Sequence, residues 1–388
     1  MAIDPERHSR ILAMMREEKL DALVCSSPTE VLLLTGYWPV IGTSVAIFTR
    51  EGEVHVLVPS DEREIAEKSS SAVLTAFSPG ELYALTTPQT AIAEPLTSLC
   101  TQLSLTAATI GMEREQGLQP ASYAVTASYR SALADILRGA FPQIEIRAVD
   151  TLLERLKASK TVIELEKMRV TAMIASTGFD AMTEGIRPGL REAEIAGFLQ
   201  MNFERTSLAR QMQRSYGFFY CMSGPNSATA AAAYARTRQR EVCIADLVMI
   251  HANTCGDGYW TDITRTRTVG EPSEKQTRMR EAIMEARQAA LDYIRPGVHA
   301  QQVDRAARSV LEKHGFGPQF KHGLGHGVGF AAANANGRPR IHPASPDILE
   351  VGMTFNVEPA IYFDEYGGMR HCDVVAVTNS GVEVLTQF

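Results

Sequence analysis

The apolar and polar positions of this chain change their spacing twice. From about residue 5 to 155, short apolar runs of strand length alternate with stretches of helical period. Residues 7–19 read as an amphipathic helix, LDALVCSS (20–27) as a strand, and VLLLTGY (31–37) as a further short apolar run ended by Gly36. SVAIFTREGEVHVLVPSD (44–61) sets two apolar runs around a polar turn containing Gly52, a hairpin pattern. ATIGMERE (108–115) and IEIRAVD (144–150) read as strands on either side of a helical stretch from Ala121 to Leu137. The alternation predicts an α/β domain over residues 1–155.

A long, charged helical stretch follows from about Leu152 to Met182 and marks the domain boundary. Beyond it the chain echoes itself. AMTEGIRPGLREAEIAGFLQ (181–200) and AALDYIRPGVHAQQVDRAARSVLEKHG (289–315) both read helix, then Ile-Arg-Pro-Gly, then helix. Proline disfavours helix for the residue before it, and glycine is free to take positive φ. Two such units predict that residues 156–388 form a domain of two related halves.

Length and composition support this division. A chain of 388 residues exceeds the size at which one core usually keeps growing. No apolar run approaches the ~18 residues of a membrane span, and the charged start MAIDPERHSRIL lacks a secretory segment, so a cytoplasmic protein is expected. A net charge of -7 without a basic cluster gives a phosphate backbone no footprint, which argues against nucleic acid as a partner. The six cysteines have no C-x-x-C spacing and read as reduced thiols rather than a disulfide scaffold.

The chemistry-bearing residues gather in four clusters of the second half. YGFFYCMSGPNSATAAAAYART carries a turn, SGPNS, with helix-capping residues. MIHANTCGDGYWTDITRT sets His251 at the end of an apolar run and Asp262 eleven positions later, across a Gly-rich turn. Two adjacent strands could bring these groups to one cation, or they could form the polar rim of an ordinary hairpin. FKHGLGHGVGF carries His322 and His326 among glycines at every second position. That is neither a dinucleotide nor a phosphate-loop spacing, but it permits close approach of a backbone or ligand. GMTFNVEPAIYFDEYGGMRHCDVVAVT places Glu358 at the end of an apolar run. If 369–376 is a strand, Arg370 and Cys372 share one face and His371 and Asp373 the other. Taken singly, each residue also fits a bland structural role.

Together and in this order, the clusters resemble the creatinase/prolidase/methionine aminopeptidase superfamily, the pita-bread fold. The resemblance covers nearly the whole chain: residues 1–155 as its α/β N-terminal domain and 156–388 as the α+β pita-bread catalytic domain. It implies a site of five metal ligands in chain order Asp, Asp, His, Glu, Glu. Asp262, His326 and Glu358 match the second, third and fourth; His251 stands at the first position and Cys372 at the last. The family's two further histidines fall on Ala231 and Ala333, which can neither donate a proton nor steady an oxyanion.

The resemblance therefore implies an atypical member: a hydrolase of a C–N bond in a small-molecule or short peptide-like substrate, acting as a homodimer. Its expected cofactor is one divalent transition metal, zinc, iron or manganese, held by His251, Asp262, His326, Glu358 and Cys372. His322, Glu358 and Arg370 are its expected catalytic residues. Two alternatives stay open: a metal-free, creatinase-like amidinohydrolase or amidohydrolase, and a non-catalytic binding protein. A redox metalloenzyme on iron is a more remote fourth.

Overall fold

The computed structural model describes residues 4–80, 83, 86–113, 132–209, 212–232, 236–333 and 337–388. The described residues divide into two compact units, one ending at Lys157 and the other beginning at Ala158.

The first unit is built on a six-stranded sheet. Its strands are β1 (Ala22–Cys25), β2 (Val45–Thr49), β3 (Val54–Pro59), β4 (Val73–Phe77), β5 (Thr109–Met112) and β6 (Glu145–Ala148), in the order β4-β3-β2-β1-β5-β6. β2 and β3 are the expected hairpin, turning at Gly52 with φ +90. The apolar run 31–37 instead belongs to a helix, Pro28–Thr35, that Gly36 ends in the left-handed region. Val31 to Leu34 are all buried, and a helix buried on every side shows no periodicity to distinguish it from a strand. Of the helical stretch expected over 121–137, residues up to 131 lie outside those described; a helix runs Leu133–Ala140.

The helical stretch expected over 152–182 is interrupted. One helix ends at Ala158 and the next starts at Val162. Thr161 caps the second in a reciprocal box with Glu164, and Ser159 bridges to Met353.

The second unit carries an antiparallel sheet of β7 (Ser215–Ser223), β8 (Leu247–Gly256) and β9 (Tyr259–Thr268). Beside it lie β10 (Thr354–Val357), β11 (Ala360–Phe363), β12 (Gly367–Arg370), β13 (Asp373–Thr378) and β14 (Gly381–Val384), forming a β10-β13-β14 sheet and a β11-β12 pair. Helices Val162–Asp180 and Glu192–Ala209 pack on β7–β9. Helices Glu274–Tyr293 and Ala300–Lys313 share one apolar core with Phe355, Val357 and Val375. Both Ile-Arg-Pro-Gly segments join the paired helices by the same device: Gly189 and Gly297 have φ of +87 and +84, and each donates its N–H across the chain, to Val242 and Leu349.

Candidate active site

Cα-paired residues on neighbouring antiparallel strands put their side chains on the same face. The register pairs His251 with Thr264 and Asn253 with Asp262. The eleven-residue spacing from His251 to Asp262 is thus the arithmetic of a tight hairpin. His251 Nδ1 lies 3.0 Å from Thr264 Oγ1 and 3.6 Å from Asp262 Oδ1.

The stretch 369–376 is not one strand. β12 ends at Arg370, β13 begins at Asp373, and Cys372 makes a lone bridge to Thr264. The break lets Arg370 pair with Ala360 while Asp373 pairs with Val357. The sorting of faces survives it. Arg370 and Cys372 turn toward Thr264 and Asp262. His371 turns to Asp373, which is clamped by Arg265 and Arg287.

Arg370 is the buried cation of the site. Its guanidinium donates to His251 Nδ1 at 3.0 Å, to Thr264 Oγ1 at 3.0 Å and to the Tyr362 hydroxyl at 3.4 Å, and lies 3.8 Å from Glu358 Oε2. Burial alone would lower its pKa, but Tyr362, Glu358, Cys372 and Asp262 together hold it raised. His251 responds in the opposite sense. Burial, then the charges of Arg370 and His326, push its pKa well down, so it is a neutral imidazole. Since a guanidinium can only donate, Nδ1 of His251 is the acceptor and the ring proton sits on Nε2.

A second chain of donors ends at His322. Nδ1 faces the Gly323 carbonyl at 2.7 Å and so carries the proton, leaving Nε2 to accept from Tyr362, 3.1 Å away. Tyr362 thereby links Arg370 to His322. Burial pushes the tyrosine hydroxyl up to about 12, and it stays protonated at neutral pH.

His326 is positioned by Asn356, whose Oδ1 accepts the His326 backbone N–H at 2.6 Å and whose Nδ2 meets Nε2 at 3.2 Å. Nε2 is also 3.5 Å from Asp262 Oδ2. The alternating glycines make this approach possible. The segment is not a strand but is stitched by single bridges, Gly325 to Ile341 and Gly327 to Phe355. A Cβ on Gly325 would run into the Asn356 carbonyl, and one on Gly327 into that of Arg338.

Cys372 is fully buried, and its Sγ points at Asp262, 3.2 Å from the carbonyl oxygen and 3.8 Å from Oδ1. Burial, with the carboxylates of Asp262 and Glu358, pushes its pKa well up. It stands as a thiol donor. Asp262 is itself raised by burial, against the lowering effect of His326 and Arg370.

The five candidate metal ligands therefore fall in one region, but their arrangement as it stands does not fit a cation. His251 spends its Nδ1 lone pair on Arg370, Cys372 Sγ is turned to the Asp262 carbonyl, and Glu358 faces the guanidinium. Among the described residues no group of three or more His, Cys, Asp or Glu is disposed to hold a metal ion. Ala231 is half-buried against the core of the second unit, and Ala333 is half-buried as well.

Tyr362, Thr264 and Asn356 were missed by sequence reading. Two of them carried a signal: Thr264 stands two residues after Asp262 and Asn356 two before Glu358, the strand period that shares a face. The SGPNS turn is a buttress. Its Ser223 and Asn226 converge on buried Glu192, and the Ser227 hydroxyl accepts from Gly368 N–H at 2.7 Å, fixing β12 two residues before Arg370.

Two family models cover most of the chain: Metallopeptidase family M24 matches residues 166–379, and the Creatinase/Prolidase N-terminal domain matches residues 7–158. The chain belongs to metallopeptidase family M24. This M24 chain is 27% identical over 383 residues to a Xaa-Pro dipeptidase of Pyrococcus furiosus, covering 98% of each. It is 34% identical over 251 residues to a Xaa-Pro dipeptidase of Lactobacillus helveticus, 64% of this chain and 66% of that protein. The solved prolidase from Pyrococcus furiosus matches with a TM-score of 0.76 at 26% identity, over 97% of this chain and 99% of the other.

These likenesses establish the architecture: a creatinase/prolidase-type N-terminal domain followed by the pita-bread domain. They also make this M24 member a peptidase-type hydrolase. The N-terminal domain of the FACT complex subunit SPT16 from chickpea shares the fold at a TM-score of 0.68 and 14% identity, which speaks for the fold alone. Among the described residues no helix is long and apolar enough to cross a membrane.

Proposed function

We propose that the chain hydrolyses a C–N bond in a small, peptide-like substrate, with Arg370 as the charge-stabilising group. The observation that carries this reading is the buried guanidinium bonded to His251, Thr264 and Tyr362 and facing Glu358. A fixed buried cation is worth far more to a developing oxyanion than one in water, because its surroundings need not reorganise. In this reading Glu358 takes a proton from the attacking water. The water oxygen bonds to the carbonyl carbon, the oxygen's negative charge meets Arg370, and Glu358 passes the proton to the departing nitrogen as the C–N bond breaks. His322, locked by Gly323 and Tyr362 and held by burial below the usual imidazole range, orients the substrate.

A bound divalent ion would supply a polarised water, the chemistry for which metallopeptidases are named. The present donor set does not fit one, with His251 and Glu358 both engaged by Arg370. One observation favours a second reading. Asp262 Oδ2 and His326 Nε2 are 3.5 Å apart, close to the separation of two ligands each about 2.0–2.1 Å from a common zinc. If Arg370 swung away, these two with Glu358 would be left for a single zinc, iron or manganese ion.

The experiment is a panel of Xaa-Pro dipeptides, with the metal content of the purified protein measured alongside. Proline release that persists in chelator supports the arginine-centred reading. Release that follows the metal content supports the single-ion reading. A protein of native stability that cleaves none of the panel contradicts both.

A further inference from the structure

The sheet face that carries His251 and Asp262 also carries residues with no part in the reaction above. β7 pairs with β8 so that Tyr220 stands opposite His251, Phe218 opposite Asn253 and Tyr216 opposite Cys255; on β9, Trp260 stands opposite Cys255. Shared face and register make one continuous run of rings. Trp260 meets Tyr216 edge-on at 5.2 Å, Tyr216 meets Phe218 at 6.0 Å, Phe218 stacks on Tyr220 at 6.4 Å, and Tyr220 stacks on His251 at 6.0 Å. Apolar rings should be hidden, yet Tyr216 is 37% and Phe218 45% exposed.

The second observation is independent. Asn253, between Phe218 and Asp262 on this face, is only 7% exposed, and its Oδ1 is buried without a hydrogen-bond partner. A desolvated amide oxygen with no donor is costly, and in native structures it usually signals a missing ligand or water.

We propose that this face is the subsite for the substrate's first residue, with Asn253 Oδ1 accepting an N–H of a free amino group and Phe218 and Tyr216 receiving an aromatic side chain. The proposal rests on the hydrolase reading and deepens it: the preferred substrate has an unblocked amine and a planar, apolar first side chain. The acceptor faces the amine's donors, while the ring faces favour both an aromatic side chain and the charge of an ammonium. Asn253 and Phe218 are specificity residues here and have no contact with the reacting atoms in the proposal.

The test uses alcohols that cannot be hydrolysed: phenylalaninol, 3-phenylpropan-1-ol, which lacks the amine, and alaninol, which lacks the ring. Calorimetry on the whole protein gives their affinities for the wild type, Asn253→Leu and Phe218→Ala. Phenylalaninol is expected to bind the wild type at least about tenfold more tightly than either relative. Asn253→Leu should remove the advantage over 3-phenylpropan-1-ol, and Phe218→Ala the advantage over alaninol. Because Asn253→Leu deletes an unsatisfied acceptor, it should fold with an unchanged or raised Tm.

Equal losses for all three alcohols in Asn253→Leu, or no binding of phenylalaninol at about 1 mM, would overturn the subsite. A dimer-to-monomer shift of Phe218→Ala in sedimentation would assign the rings to a second copy and overturn it as well. Phe-Pro and Gly-Pro hydrolysis, assayed in parallel, separates the two claims. Selective phenylalaninol binding without cleavage of either dipeptide sinks the hydrolase reading alone, whereas equal cleavage of both without phenylalaninol binding sinks the subsite alone.

Discussion

Arg370 Nη2 and His251 Nδ1 are joined by a 3.0 Å hydrogen bond in which the arginine must donate. One contact fixes the imidazole tautomer and ties the hairpin of β8 and β9 to the end of β12. A lysine at 370 keeps the charge but cannot reach His251, Thr264 and Tyr362 at once. Arg370→Lys is expected to lower kcat/KM on a cleaved Xaa-Pro dipeptide by about 100-fold or more, with Tm shifted by only a few degrees. Steady-state kinetics and a melting curve check it; an undiminished kcat/KM would remove Arg370 from the chemistry.

Asp373 is the buried carboxylate on the opposite side of the strand break, held by Arg265 at 2.8 Å, Arg287 at 2.6 Å and His371 at 3.1 Å. Burial alone would raise its pKa, but the His371 hydrogen bond and the two arginines hold it well below the usual carboxylate range. A folded pKa below the unfolded value stabilises the fold above the unfolded pKa, and that stability is lost as pH falls through the folded value. Unfolding free energy should therefore drop with acid below about pH 4, less steeply in Asp373→Asn. At neutral pH the variant should be destabilised by about 3 kcal/mol, because two half-buried guanidiniums lose their buried counter-charge. Urea titrations at pH 7 and in the acid range test both.

Of the six cysteines, Cys243 is exposed and the other five are buried. Burial pushes Cys100 up to about 12 and Cys372 well above the usual thiol range. An aromatic disulfide reagent should titrate one thiol quickly in the native protein and the rest on unfolding. Fast reaction of Cys372, located by peptide mapping, would mean that the thiol is reached from solvent or ionised, against the geometry described.

Gly325 stands where the glycine-rich segment crosses Asn356, and a methyl group there would strike the Asn356 carbonyl. Gly325→Ala should cost at least about 2 kcal/mol of stability and disturb His326 through Asn356. Gly315→Ala, where a Cβ meets nothing within 4 Å but φ is +81, isolates the backbone strain for comparison. Equal stability of Gly325→Ala and the wild type would refute the close approach.

The regions of the sequence that revealed most were those whose physics is local. The β2–β3 hairpin is written in two apolar runs around Gly52, and the gathering of His251, Asp262, His326, Glu358, Arg370 and Cys372 could be anticipated from strand alternation together with the family resemblance. What stayed hidden depended on long-range pairing. Nothing local in DEYGGMRHCD shows that β12 stops at Arg370, because the break arises from two different partners, β11 and β10. Tyr362 reaches Arg370 only through the β11–β12 register. The proton on Cys372 and the donation from Arg370 to His251 follow from a buried charge balance that residue types alone do not reveal.

The most direct test is proline release from Phe-Pro by the wild type and by Glu358→Gln, followed with and without chelator. Turnover is expected to resist chelator and to fall by about 100-fold or more in Glu358→Gln while the fold stays intact. Wild-type rates left unchanged by Glu358→Gln would contradict it.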